Sequence, residues 1–244
     1  MAQKQGYLTY DWKIDGKDAL FAVDLELYAS APDKICDTLV FIFLTNKDGK
    51  PLSDFDRRKI DFFESKCVKK TGVHFAGYIE IAEARQYYAY TRGKDFTALR
   101  ELAEKERYFK IRIAKKHEPS WKTYFNLLYP DAAKYQTVLN DDQIKTLYAN
   151  GDSEAPRRLN LHMFFQNEIL MMQFAQKALS DGYAIDESEI RYENKLPYGV
   201  TVRRICSLKK RNVDALTVHT IRLAERFGGQ LLFWDCPIAP KDQM

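Results

Sequence analysis

Apolar and polar residues alternate along 8–28, with Phe21, Val23, Leu25 and Leu27 on one side and Asp24 and Glu26 between them, the period of a half-buried strand. Asp15-Gly16 supplies a turn ahead of them, so 7–13 and 18–28 are expected to pair as a hairpin. The run 39–44 (LVFIFL) is continuously apolar, as expected for a strand covered on both faces, and it ends at a turn cluster, 46–49. Ser53 then suits a helix N-cap, with Asp54 and Asp56 near the positive helix end. Ile60, Phe63 and Cys67 follow at helical spacing, and Lys69-Lys70 before Gly72 marks the stop. Strands at 75–82 and 85–90, a helix at 96–105 and a strand containing Phe109, Ile111 and Ile113 complete a β-α-β-β-α-β order. An aromatic helix within 118–130 closes this half at Pro130.

Residues 131–158 are more polar. A short helix is expected at 141–148, and 150–156 (NGDSEAP) has the composition of a linker. The second half is cleaner. Leu159, Leu161, Met163 and Phe165 alternate with Asn160, His162 and Phe164. Leu170, Phe174 and Ala178 then form one helical face, closed by Asp181-Gly182. Strands at 183–192 and 200–206 flank a turn at 195–199. Asp214 suits the cap of a helix carrying Leu216, Thr220, Leu223 and Phe227, Gly228-Gly229 ends it, and 230–236 is the last strand. Both halves thus show the split β-α-β order of a ferredoxin-like plait. The expected class is α+β: two ferredoxin-like (βαββαβ) domains, the first with an extra N-terminal hairpin and a C-terminal aromatic helix. The domains are expected at 1–130 and 159–244, joined by a helical, polar linker at 131–158.

A length of 244 residues suits two such domains. The net charge of +4 is a small difference between 38 basic and 34 acidic residues, so bulk charge does not single out nucleic acid as the partner. The four cysteines lie far apart without a C-x-x-C pair, no signal-like apolar run opens the chain, and no stretch approaches the ~20 apolar residues that cross a bilayer. These features lead to the expectation of a cytoplasmic protein with free thiols and no membrane partner.

The second half, over 159–237, resembles the regulator of ribonuclease E activity, B type (RraB), a ferredoxin-like family. The residues that carry the resemblance are Gly182-Tyr183, Leu196-Pro-Tyr-Gly-Val200, Asn212-Val-Asp214, Leu223-Ala-Glu-Arg-Phe227 and Phe233-Trp234-Asp235. The first half is similar to a bacterial family, domain of unknown function 695, through Trp12, the tyrosines 87, 88 and 90, and Trp121-x-x-Tyr124-x-x-Leu127-Leu-Tyr-Pro130. The resemblance implies a regulatory protein whose partner is a ribonuclease, since RraB proteins bind ribonuclease E and damp it.

Residue chemistry bounds this further. His74, His117, His162 and His219 stand singly without metal-ligand spacing. There is no G-x-S-x-G, no cysteine near both His and Asp, and no phosphate-binding glycine loop. No catalytic residue, metal site or cofactor is expected. In a 4-1-3-2 sheet, Cys206 and Cys236 would be two strand spacings apart, ~9.5 Å, beyond the ~7 Å reach of a disulfide. Alternation places Asn160, His162 and Phe164 on the open sheet face of strand one, and Thr201, Arg203 and Ile205 on that of strand three. His162, Phe164, Arg203 and Asp235 are therefore the candidate partner-binding surface, together with Trp121 and Tyr124 on the aromatic helix. Leu231 and Phe233 alternate with Leu232 and Trp234, so strand four is apolar on both faces and its open face is expected to be covered by the other domain, a homodimer mate or a partner. The alternatives are an RNA-binding plait, which stacks bases on its central strands, and an enzyme or small-ligand domain of unknown chemistry.

Overall fold

The computed structural model describes residues 7–71, 73–92, 96–190 and 195–240. The expected stop at Gly72 and the strand end at Tyr192 lie outside the described residues. The chain divides into two compact units, Met1–Pro130 and Asp131–Met244, each with its own sheet.

In the first unit β1 (Tyr7–Ile14) and β2 (Lys17–Asp24) pair antiparallel, with Asp15 and Gly16 at φ 49° and 77° forming the turn. The second strand is shorter than its alternation suggests. The Asp24 carboxylate accepts from the Glu26 amide at 3.0 Å, and the chain turns into a 3-10 turn at Glu26–Ala29. There follow β3 (Thr38–Asn46), α1 (Asp54–Thr71), β4 (His74–Ile81), β5 (Ala84–Thr91), α2 (Thr97–Glu104) and β6 (Phe109–His117). The sheet order is β1-β2-β4-β5-β3-β6. From β4 to β6 this is the plait, and the hairpin extends it beyond β4. Ser53 caps α1 reciprocally: its Oγ accepts from the Asp56 amide at 3.2 Å, while the Asp56 carboxylate accepts from the Ser53 amide at 2.9 Å. The core joins Val40, Ile42 and Leu44 to Ile60, Phe63 and Cys67 of α1 and Leu99 of α2. β3 is not covered equally on both sides as its apolar run suggests, because Phe41 and Phe43 are only half-buried.

The aromatic segment is a single π-helical turn, Tyr124–Leu128, entered through Trp121 at φ 50°. It is built into the first unit. The Trp121 ring stacks on Tyr90 at 3.9 Å, its indole N–H donates to the Cys36 carbonyl at 2.8 Å, and the Tyr124 hydroxyl donates to the Asp24 carbonyl at 2.8 Å. Glu118, buried beneath, accepts from the Tyr90 hydroxyl, the Thr123 amide and hydroxyl, and Lys116. Burial raises the Glu118 pKa, but these donors outweigh it and leave the carboxyl below its ordinary value.

The second unit contains α3 (Ala132–Ala149), β7 (Arg157–Phe165), α4 (Glu168–Ser180), β8 (Ala184–Ile190), β9 (Tyr198–Cys206), α5 (Lys210–Glu225) and β10 (Gln230–Asp235). Its sheet order, β10-β7-β9-β8, is the 4-1-3-2 order of the plait. Two expectations are corrected here. The stretch 131–158 is not a linker, because α3 packs on α5 within this unit. Its polar appearance has a physical source in Asn140, fully buried, which donates to Asp214 and Thr217 and accepts from Gln136 and the Trp234 indole, all at 2.8–2.9 Å. Nor is 150–156 loose. Buried Asp152 pairs with Arg157 at 2.5 Å and accepts from the Ala239 amide, while the Ser153 amide donates to the Ala239 carbonyl. The second correction concerns Asp214, which lies inside α5 beside Lys210 and is not its cap.

Candidate partner-binding face of the second unit

Every functional side chain proposed for the second unit stands on strands β7, β9 or β10. The register places Asn160 opposite Arg203, His162 opposite Thr201, and Asp235 opposite Asn160. Strict alternation along β10 would send Leu231, Phe233 and Asp235 to one side. Instead an extra residue intervenes between Leu231, opposite Met163, and Phe233, opposite His162, a β-bulge that resets the parity. Leu231 and Trp234 therefore both join the core, and Phe233 and Asp235 both reach the open face.

The result is a continuous polar chain. The His162 ring contacts the Thr201 hydroxyl through Nδ1 at 2.9 Å and the Asp235 carboxylate through Nε2 at 2.7 Å. The other Asp235 oxygen accepts from the Asn160 amide at 2.6 Å. Phe233 lies flat on the imidazole, centroids 4.2 Å apart. Both nitrogens of His162 are occupied, so the ring is fixed by its neighbours and serves as a rigid floor. Phe233 on it is 40% exposed and the adjoining Leu232 48%, while Ile205, opposite Arg158 farther along β9, is 76% exposed.

Of the residues expected here, His162 and Asp235 are brought together and Arg203 is not. Its guanidinium turns to the edge strand, where it pairs with Asp186 at 3.1 Å and donates to the Ile185 carbonyl at 3.4 Å. Its Nε is buried without a hydrogen-bond partner. Arg203 also lines a shallow groove with Arg158, Gly182, Ala184, Arg204 and Ile205. Phe164 is corrected outright: it is 2% exposed, so its ring is withdrawn from any partner. Trp121 and Tyr124, 3% and 0% exposed, are likewise core side chains of the first unit and offer no surface. Phe233, two residues before Asp235, shares its side by simple alternation; what the local pattern does not mark is the bulge, which sends Leu231 to the core instead.

Among the described residues no group of three or more His, Cys, Asp or Glu is placed to hold a metal ion, and all four cysteines are free. Burial raises the pKa of each thiol, that of Cys67 to about 12, which suppresses the nucleophilic thiolate. No described helix is long and apolar enough to cross a membrane.

The two sheets with their helices define an α+β protein of two ferredoxin-like units. The chain belongs to the Family of unknown function (DUF695), whose model matches residues 5–129, just over half of its length. Residues 139–236 match the model of Regulator of ribonuclease activity B. That match begins inside α3, in keeping with α3 belonging to the second unit. No curated protein matches the chain. Among solved structures it is similar to a crystal structure of an unknown protein from Galdieria sulphuraria, with 12% identity, 83% of this chain and 98% of that chain covered, and a TM-score of 0.24, too low to carry an argument.

Proposed function

We propose that the protein is a cytoplasmic, non-enzymatic regulator that binds a protein partner of the ribonuclease class through the open sheet face of its second unit. The observation that carries this reading is exposed Phe233 stacked on the fixed His162–Asp235 pair, on the domain that matches the ribonuclease-regulator model. Binding surfaces concentrate their affinity in a few aromatic and apolar anchors within a polar rim. Phe233 is such an anchor, already seated on His162 and thus costing little ordering entropy on association. Around it Asp235, Arg203 and Arg158 supply both signs of charge for orientation.

The test is calorimetric titration of the full chain with purified ribonuclease E, paired with an assay of its cleavage of a single-stranded substrate. Saturable binding that slows cleavage, and that Phe233→Ala weakens, is expected. Absence of binding, or binding indifferent to Phe233→Ala, overturns the assignment of this face.

A further inference from the structure

The first unit carries a second surface, chemically different from the open face of the second unit. On β3, the side chains facing away from the Val40, Ile42 and Leu44 core include Phe41 and Phe43, both half-buried. Phe43 stands between Gln86 of β5 and Arg112 of β6, and Phe41 between Tyr88 and Ala114. The aromatic turn covers this face only at the Tyr90 end, through the Trp121 stack. The part bearing Phe41, Phe43 and β6 is left to solvent, with Lys110, Arg112 and Ala114 exposed.

Charge on this face is one-sided. Register and alternation put Lys110, Arg112 and Lys116 on it from β6, and no acidic side chain from β3, β5 or β6. Lys116 is held by Glu118 at 2.8 Å, whereas among the described residues no carboxylate pairs with Lys110 or Arg112. The Arg112 guanidinium lies over the Phe43 ring, 4.9 Å from its centre, a cation–π contact that adds a planar cation on which a base can also stack. β6 is also the edge of the sheet, so its bases line the rim of the platform.

We propose that this face binds single-stranded nucleic acid, with neighbouring bases stacked on Phe41 and Phe43 and the backbone drawn along β6 by Lys110 and Arg112. Two rings at i and i+2 of a strand are about 6.7 Å apart, room for two splayed bases. Ring faces on the first strand of a plait beside a basic rim suit an unpaired strand, because every base offers a π-face and every nucleotide a phosphate. A duplex hides its base faces. An acidic peptide would satisfy Lys110 and Arg112 but would have no planar groups to lay on the rings.

The experiment is fluorescence anisotropy of the full chain with labelled oligouridylate and oligothymidylate of about a dozen nucleotides, with a blunt duplex and inorganic polyphosphate as controls. Both single strands, or one of them, should bind in a salt-dependent manner and more tightly than the duplex and the polyphosphate. The tighter of the two identifies RNA or DNA as the natural class. Phe43→Leu should weaken binding at least about fivefold. The exposed double variant Lys110→Gln/Arg112→Gln, which leaves the core untouched, should flatten the log–log salt slope by roughly 1.4. If Phe43→Leu fails to fold by its thermal melt, that double variant alone decides. Absence of single-strand binding at low salt, equal binding of polyphosphate or duplex, or an unchanged salt slope in the double variant overturns the proposal. It does not rest on the partner reading of the second unit, so Phe233→Ala should leave oligonucleotide affinity unchanged.

Discussion

Replacing Asn140 with leucine removes the polar centre on which α3, α5 and β10 converge, and the cost follows from its four hydrogen bonds. The indole N–H of Trp234 is a donor only, so it fixes the Asn140 amide with Oδ1 toward Trp234 and Gln136 and Nδ2 toward Asp214 and Thr217. In the leucine variant Asp214 keeps Lys210 and the Thr217 hydroxyl keeps the Val213 carbonyl. The Trp234 indole and the Gln136 amide, both buried, each lose their acceptor. Two stranded donors at about 1–3 kcal/mol each give a loss of roughly 4 kcal/mol. For a unit of this size that is on the order of 10–20 °C in Tm. Because the chain has two units, one global transition is the wrong readout. Hydrogen exchange read by mass spectrometry on peptides from β7, α5 and β10 reports the second unit separately. A loss below about 1 kcal/mol there, or an equal loss in the first unit, would refute the account of Asn140 as a buried centre integral to the second unit.

Other perturbations test neighbouring parts of the account. A fragment beginning at Asp131 should fold cooperatively, whereas one beginning at Leu159, lacking α3 and the Asp152–Arg157 clamp, should be molten by near-ultraviolet circular dichroism. Gly77→Ala should severely destabilise the first unit, since a Cβ at its φ of 157° would lie 2.2 Å from the Ala22 carbonyl oxygen; hydrogen exchange in the β2 and β4 peptides as slow as in wild type would contradict this close approach of β4 to β2. Burial raises the Asp152 pKa, but Arg157 and two backbone amides prevail and hold it below its ordinary 3.8. This group's stabilisation is therefore present above the unfolded value and lost as pH falls through the folded one. Urea midpoints of the second unit, read by hydrogen exchange in its own peptides, should differ between wild type and Asp152→Asn at neutral pH and converge progressively as pH falls below about 4; a gap that persists in acid would refute the linkage.

How much the sequence disclosed depends on whether the physics was local. The plait order of both units was legible because each strand and helix carries its own period, and the Ser53–Asp56 cap because its partners are three residues apart. The role of 131–149 was hidden: Asn140 and Gln136 look like surface residues until Trp234, far along the chain, gives them a buried partner. The stretch 150–156 looked like a linker because its anchors, Ala239 and the Asp152–Arg157 pair, are tertiary. At the candidate face, alternation correctly put His162 and Asp235 on one side. That Phe164 is buried while Phe233 stays exposed is a tertiary outcome that the alternation along either strand does not carry. Trp121 and Tyr124 were recognisable as a motif, but whether a motif is surface or core is settled by what covers it.

The central claim, that the open face of the second unit is where a partner docks, is tested most directly by the hydrogen-exchange footprint of ribonuclease E on the full chain. The account predicts slowed exchange in the peptide spanning β10 and in the exposed end of β9 around Ile205, with α4 unchanged. A saturated complex that leaves β10 unprotected, or that instead protects the helical side of the unit, would contradict it.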